Sequence, residues 1–216
     1  MKGLAPQTSK LFDSITQMEC IKPFLLVGGT ALSLQLGTRQ SEDLDFMRWK
    51  HGPKDKLERG WPAIRHELES IGTIEGENIL GFDHVEFYVE GVKLSFYAAP
   101  RKQIATMQAI PYKNNLRLAD VKSIGAMKME TMLRRAKFRD YYDLYSILRS
   151  GVNIHEIIPI ALEHSGHKLK TKNLLAMITN GAFFQKDQSF QHLNPTYDVT
   201  AIDIQEYIKQ KLMEQA

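Results

Sequence analysis

Two short stretches, FLLVGGT at 24–30 and SEDLDF at 41–46, constrain this chain more than any other part of it. An apolar run ends in two glycines. Residues 30–36 then suit a helix closed by Gly37, and two carboxylates follow at alternate positions. Alternate residues of a strand face the same side. Asp43 and Asp45 are therefore expected to project together, while Leu44 and Phe46 turn into a core. Carboxylates held side by side repel, which costs stability unless a cation sits between them. A glycine turn entering a helix offers backbone N–H groups and a positive dipole end to phosphate. Phosphate donors followed by metal-binding acids describe a metal–nucleotide site.

The rest of the chain places this segment. Strands are expected at 24–27 and 44–49. A helix is expected at 8–22, with Ser9 as N-cap, and another at 57–71, interrupted by Pro62. Gly52, Pro53 and Gly60 punctuate the chain between the second strand and that helix. From 73 to 98 the pattern changes to period two. Residues 84–90 and 92–97 alternate about Gly91 and read as a hairpin that Pro100 ends, and 110–118 reads as one more strand. Beyond Asp120, a helix cap, the pattern is helical: 120 to about 135, 139–149, a third helix opened by a capping-box-like Asn153 and Glu156, 171–179, and 201–214. Residues 182–198 read as polar and irregular. The order is that of an α+β chain, with a mixed α/β region at 1–118 and an all-helical region at 119–216.

Composition narrows the class. A net charge of +3 does not mark a dedicated nucleic-acid binder. Cys20 is the only cysteine, so no intrachain disulfide forms, which fits a reducing compartment. The first residues lack the apolar core of a signal peptide. No apolar run approaches the roughly 18–20 residues of a membrane span. A soluble cytoplasmic protein without a membrane partner is expected. His164 and His167 have no further histidine or cysteine at ligand spacing and read as surface residues.

Nucleotidyl transfer asks little covalent chemistry of a protein. It needs a divalent cation on the phosphates, a positioned hydroxyl and positive charge near the leaving group. Magnesium prefers carboxylate oxygens and keeps part of its water, and two aspartates on one strand face suit it. Gly28 and Gly29 let backbone approach a triphosphate, and Ser41 adds a hydroxyl. A second block stands at 126–145. Asp140 and Asp143, three apart, share a helix face. Read alone, they fit a solvated face or a helix-dipole partner, and Lys128 fits a stem laid along apolar surface. Arg134, Arg135, Lys137 and Arg139 form the densest basic cluster, either a solubilising fringe or a patch for nucleic-acid phosphates.

Gly28-Gly29-Thr30-Ala31-Leu32, Arg39 with Ser41, and Asp43-Leu44-Asp45-Phe46 together resemble the signature of the AbiEii/AbiGii-type toxin nucleotidyltransferases, a branch of the DNA polymerase beta-like superfamily. Lys128 and the Arg139-Asp140-Tyr-Tyr-Asp143-Leu144 helix extend the resemblance over residues 23 to 150. It implies a short mixed sheet with flanking helices and a helical half closing a nucleotide cleft. It implies Mg2+ or Mn2+ on Asp43 and Asp45, and triphosphate contacts from Gly28, Gly29, Thr30, Arg39 and Ser41. Lys128 is implied to neutralise phosphate, and Asp140 or Asp143 to complete the catalytic set. The implied reaction moves an NMP from an NTP to a hydroxyl of RNA (tRNA among them) or of protein, in a toxin paired with an antitoxin. Enzymes of this superfamily commonly carry a third carboxylate on a later strand, and the matching position here is Ser95. That departure leaves three outcomes open: Asp140 or Asp143 substitutes from the helical half, a single metal serves, or a nucleotide- or partner-binding protein holds its ligand without transfer. Glu86 and Glu90 on the neighbouring strand are further acids that could contribute. A phosphotransferase using the same cleft, differing in which phosphate is attacked, is a separate alternative.

Overall fold

The computed structural model describes residues 2–52, 54–99, 107–165, 169–184 and 188–214. Pro53, Pro100 and His167 lie outside the described residues, as does the side chain of His164. Helix α1 (Pro6–Gln17) precedes β1 (Leu25–Val27), α2 (Gly28–Leu36) and β2 (Leu44–Trp49). After α3 (Trp61–Ile71) come β3 (Ile74–Gly81), β4 (His84–Val89), β5 (Val92–Ala99), β6 (Ala109–Lys113) and β7 (Leu116–Ala119). Helices α4 (Val121–Arg134), α5 (Phe138–Arg149), α6 (Ile154–His164), α7 (Thr171–Ile178) and α8 (Ala201–Met213) complete the order.

The seven strands form one mixed sheet in the order β3-β4-β5-β2-β1-β7-β6. The expected mixed sheet with a helical C-terminal half is what forms. Strand β1 runs antiparallel to β2 and parallel to β7, while β2 and β5 are parallel. Flanked on both sides, β1 is buried at all three residues, as a continuous apolar run requires. Strand β4 alternates in burial, and β5 does so except at Ser95 and Ala99, which are buried as well. Their apolar positions pack with β2 through Phe46, which stacks on Phe96 at 4.9 Å, and Phe87, edge-on to Phe96 at 6.2 Å. Their polar positions line the opposite face. One apolar cluster runs from this sheet into α4, α5 and α6.

Local chemistry moves several expected boundaries. Helix α1 begins at Pro6 with Ala5 as N-cap, so Ser9 lies inside it. A proline tolerates the first turn because the N–H it lacks there is unpaired anyway. For the same reason Pro62 opens α3 rather than interrupting it, behind a separate 3-10 turn at Leu57–Gly60. The single strand expected at 110–118 is a hairpin, β6 and β7, turning at Asn114 with φ 50°. Asn153 accepts a hydrogen bond from the His155 N–H, but Glu156 pairs with Lys122, so no capping box forms there. The box is at α8, between Thr200 and Asp203. The stretch expected to be polar and irregular contains 3-10 turns at Gly181–Phe183 and Gln188–Leu193 and buries Phe184 and Phe190.

Candidate active site

The glycine turn is built as its residues demand. Val27 leaves β1 extended, and α2 starts at Gly28 with φ +69°, a left-handed conformation that costs a residue with a Cβ about 1–2 kcal/mol. A Cβ on Gly28 would stand 3.0 Å from Asp45 Oδ2, and one on Gly29 would stand 2.6 Å from Arg39 Nη2. The bare backbone therefore lets α2 begin against both side chains. Thr30 Oγ1 donates to the main-chain oxygen of Asp43 and lies 2.9 Å from Ser41 Oγ. Buried and engaged in this way, Thr30 pins the Ser41–Asp43 loop to the helix.

Asp45 lies in β2, paired in register with Ser95 of β5. Asp43 precedes the strand and is not part of it. Lys93 of β5 stands beside the two acids, its ammonium 3.8 Å from Asp43 Oδ2 and 3.5 Å from Glu86 Oε1, and its charge acts on Asp45 without an ion-pair contact. Among the described residues, no hydrogen bond or ion pair holds the Asp45 carboxylate itself. Burial pushes its pKa above the usual carboxylate range; Lys93 opposes that shift and Asp43 adds to it. Lys93 is raised, because the pull of Asp43, Asp45 and Glu86 outweighs its own burial.

The second block forms a buried ionic chain. Arg39 donates from Nε and Nη2 to both oxygens of Asp143 at 2.7 and 2.8 Å. Lys128 of α4 lies 2.6 Å from Asp143 and 2.7 Å from Asp140. Arg135 reaches Asp140 at 3.0 Å. Asp140 and Asp143 are almost inaccessible. Burial alone would raise both carboxyls, but Arg39 and Lys128 hold Asp143, and Lys128 and Arg135 hold Asp140, below their ordinary range. These two acids are thus committed to cations and do not join Asp43 and Asp45 as free ligands. Three cations meet two anions here, so the chain carries one net positive charge. The Arg39 loop is also braced from the C-terminal half. The N–H of Gln40 donates to Leu193 O, that of Thr196 to Thr38 O, and the Tyr142 hydroxyl to Thr38 O.

Between sheet and helices lies a cavity of about 620 Å³. Gly28, Gly29 and Asp45 form its floor, and Lys128, Arg135 and Asp140 the helical wall. Arg39, Ser41 and Asp43 line an adjoining recess with Gly29 and Asp45. The two blocks, a hundred residues apart in sequence, therefore face one space. His84, Glu86 and Lys93 also line the cavity; of these, His84 and Lys93 were absent from the expected set. Their signal was the alternation of β4 and β5, which puts residues 84, 86, 93 and 95 on one face.

A metal at this site would have Asp43 and Asp45 as protein ligands. Among the described residues, no group of three or more acids, histidines or cysteines is arranged to hold one. A half-buried carboxylate without an ion-pair partner beside a second acid nevertheless fits a hard cation that completes its shell with water and phosphate oxygens.

The profile of one protein family, nucleotidyl transferase AbiEii toxin, Type IV TA system, matches residues 10–212. The chain belongs to the AbiEii family. An uncharacterized protein of Aquifex aeolicus is 22% identical over 220 residues, covering 99% of this chain and 98% of that one. A crystal structure of a protein from H. pylori assigned as a nucleotidyltransferase superposes with a TM-score of 0.56 at 19% identity, covering 96% of each chain. The antibiotic-resistance factor ANT(2'')-Ia covers 76% of this chain and 100% of its own at TM-score 0.50 and 13% identity. At these identities the solved structures share the fold with this AbiEii member. No helix among its described residues is long and apolar enough to cross a membrane.

Proposed function

We propose that this AbiEii protein is a metal-dependent nucleotidyltransferase. It moves an NMP from an NTP to a hydroxyl of RNA, tRNA included, or of protein, and releases pyrophosphate. The observation that carries this reading is the shared cavity: a half-buried carboxylate at Asp45 without an ion-pair partner, a glycine turn pressed against it, and a net positive ionic chain opposite. A triphosphate supplies what each of these lacks. Its oxygens meet the helix N-terminus and the cationic wall, and its metal meets Asp43 and Asp45.

In this reading Gly28 and Gly29 admit the phosphates to the main chain, with Ser41 alongside. Lys128 and Arg135 face the leaving pyrophosphate. Arg39 and Asp143 act at one remove, fixing the α2 loop to Lys128, and Thr30 fixes the loop that carries Asp43. Mg2+ or Mn2+ bound by the two aspartates offsets negative charge on the phosphates. The family supports a toxin-type role, with an antitoxin protein as partner.

The test is incubation with Mg2+, each α-labelled NTP, and total RNA or the protein alone. Label should appear on one acceptor with release of pyrophosphate, and Asp43→Ala and Asp45→Ala should abolish both. The same variants should lose Mn2+ binding measured by electron paramagnetic resonance. Tight nucleotide binding with no label transfer would instead favour the non-catalytic alternative, which Ser95 keeps open, and release of a nucleoside diphosphate would favour a phosphotransferase.

A further inference from the structure

Transfer to a hydroxyl needs a group that takes the hydroxyl's proton, and the cavity leaves few candidates. Asp140 is bound by Lys128 and Arg135, and Glu86 lies against Lys93. Glu130 pairs with Arg134. Asp43 and Asp45 are assigned to the metal. His84 is the remaining base of the cavity wall, and among the described residues no ion pair holds it. Its Nε2 is 2.9 Å from Ser95 Oγ. Ser95 is the residue whose place beside Asp45 is fixed by the β2–β5 register. Side chains at paired positions of neighbouring strands share a face, so the serine hydroxyl stands next to the carboxylate that faces the phosphates.

Resting on the transferase reading, we propose that the Ser95–His84 pair accepts the proton of the attacking hydroxyl, Ser95 as relay and His84 as base. The ring is neutral, with its proton on Nδ1, so that Nε2 accepts from the Ser95 hydroxyl. As the acceptor oxygen bonds to the α-phosphorus, its proton passes to Ser95 Oγ and the serine's own proton passes to His84 Nε2. The bond from the α-phosphorus to its bridging oxygen breaks, and pyrophosphate leaves with that electron pair. The imidazolium then returns its proton to solvent.

The surroundings suit this role. The groups acting on the ring are Asp45 from β2, Glu86 from its own strand, and Lys93 and Tyr97 from β5, while Lys128 and Glu130 of α4 line the same cavity. Burial holds His84 below the ordinary histidine range, against the opposing pull of Glu86 and Asp45.

The experiment measures the rate of label transfer from α-labelled NTP to total RNA with Mg2+ across pH, for wild type, His84→Gln, His84→Ala and His84→Gln/Ser95→Asp. Wild type should be flat at neutral pH and fall in acid through one ionisation. His84→Gln should lose roughly 100-fold, the usual worth of a positioned base, and lose that acid limb. Added imidazole should restore part of the rate to His84→Ala. Ser95→Asp should recover transfer in the histidine-free background, with a limb at carboxylate pH. Thermal unfolding and the nucleotide-induced rise in Tm should stay near wild type in His84→Gln, which a merely structural histidine would not combine with a lost limb. A His84→Gln variant that keeps the wild-type rate and acid limb overturns this role and leaves the transferase reading standing. No transfer by wild type to RNA or protein overturns both.

Discussion

Asp143→Asn tests the claim that the two halves are joined by buried charge. The substitution keeps the side chain's shape and removes the anion that Arg39 and Lys128 both contact. Breaking one side of a buried pair costs about 3–5 kcal/mol, because the cation is left uncompensated. For 216 residues, an unfolding entropy of ~2.1 cal/mol/K per residue gives ~0.45 kcal/mol/K. The loss then corresponds to a fall in Tm of about 7–11 °C. Far-UV circular dichroism at neutral pH reads it directly. The pH dependence gives a second check. The folded carboxyl is held below its unfolded value, so its contribution is complete above the unfolded pKa of ~3.9. It is lost as pH falls through the folded pKa. The gap between wild type and variant should be widest near neutrality and close in strong acid. A Tm loss under about 2 °C, or a gap that never narrows in acid, would refute the buried-pair account.

Three further outcomes follow from the site. Asp45→Asn should stabilise the metal-free protein at neutral pH by roughly 0.5–2 kcal/mol, the usual gain when functional strain is relieved. A carboxyl whose pKa is raised on folding destabilises the fold above its unfolded pKa, so this gain should shrink as the solution is acidified; urea unfolding at two pH values measures it, and a less stable variant would contradict the burial argument. Gly28→Ala should cost about 1–2 kcal/mol for its left-handed backbone and displace Asp45, so Mn2+ affinity should fall along with Tm. Thr200→Ala removes the capping box of α8 and should cost about 1 kcal/mol in chemical unfolding while leaving Mn2+ binding unchanged.

The sequence alone determined the local devices. Val-Gly-Gly-Thr specified a strand turning into a helix, because glycine takes the left-handed φ at Gly28 without strain and leaves room for the Asp45 carboxylate against it. The alternation of 84–90 and 92–97 specified a hairpin with one apolar face. The resemblance of the two blocks identified the family. Alternation, however, fixes a face and not a neighbour. That Ser95 stands beside Asp45 and is met by His84 follows from strand pairing across β2, β5 and β4, which no local pattern encodes. Charge partners are equally non-local: Arg39 and Asp143 are 104 residues apart. Asp140 and Asp143, read in sequence as companions of Asp43 and Asp45, are instead held by Arg39, Lys128 and Arg135. A buried carboxylate takes whichever cation the packing delivers, so only the tertiary structure separates acids paired within the protein from the one left open to a ligand.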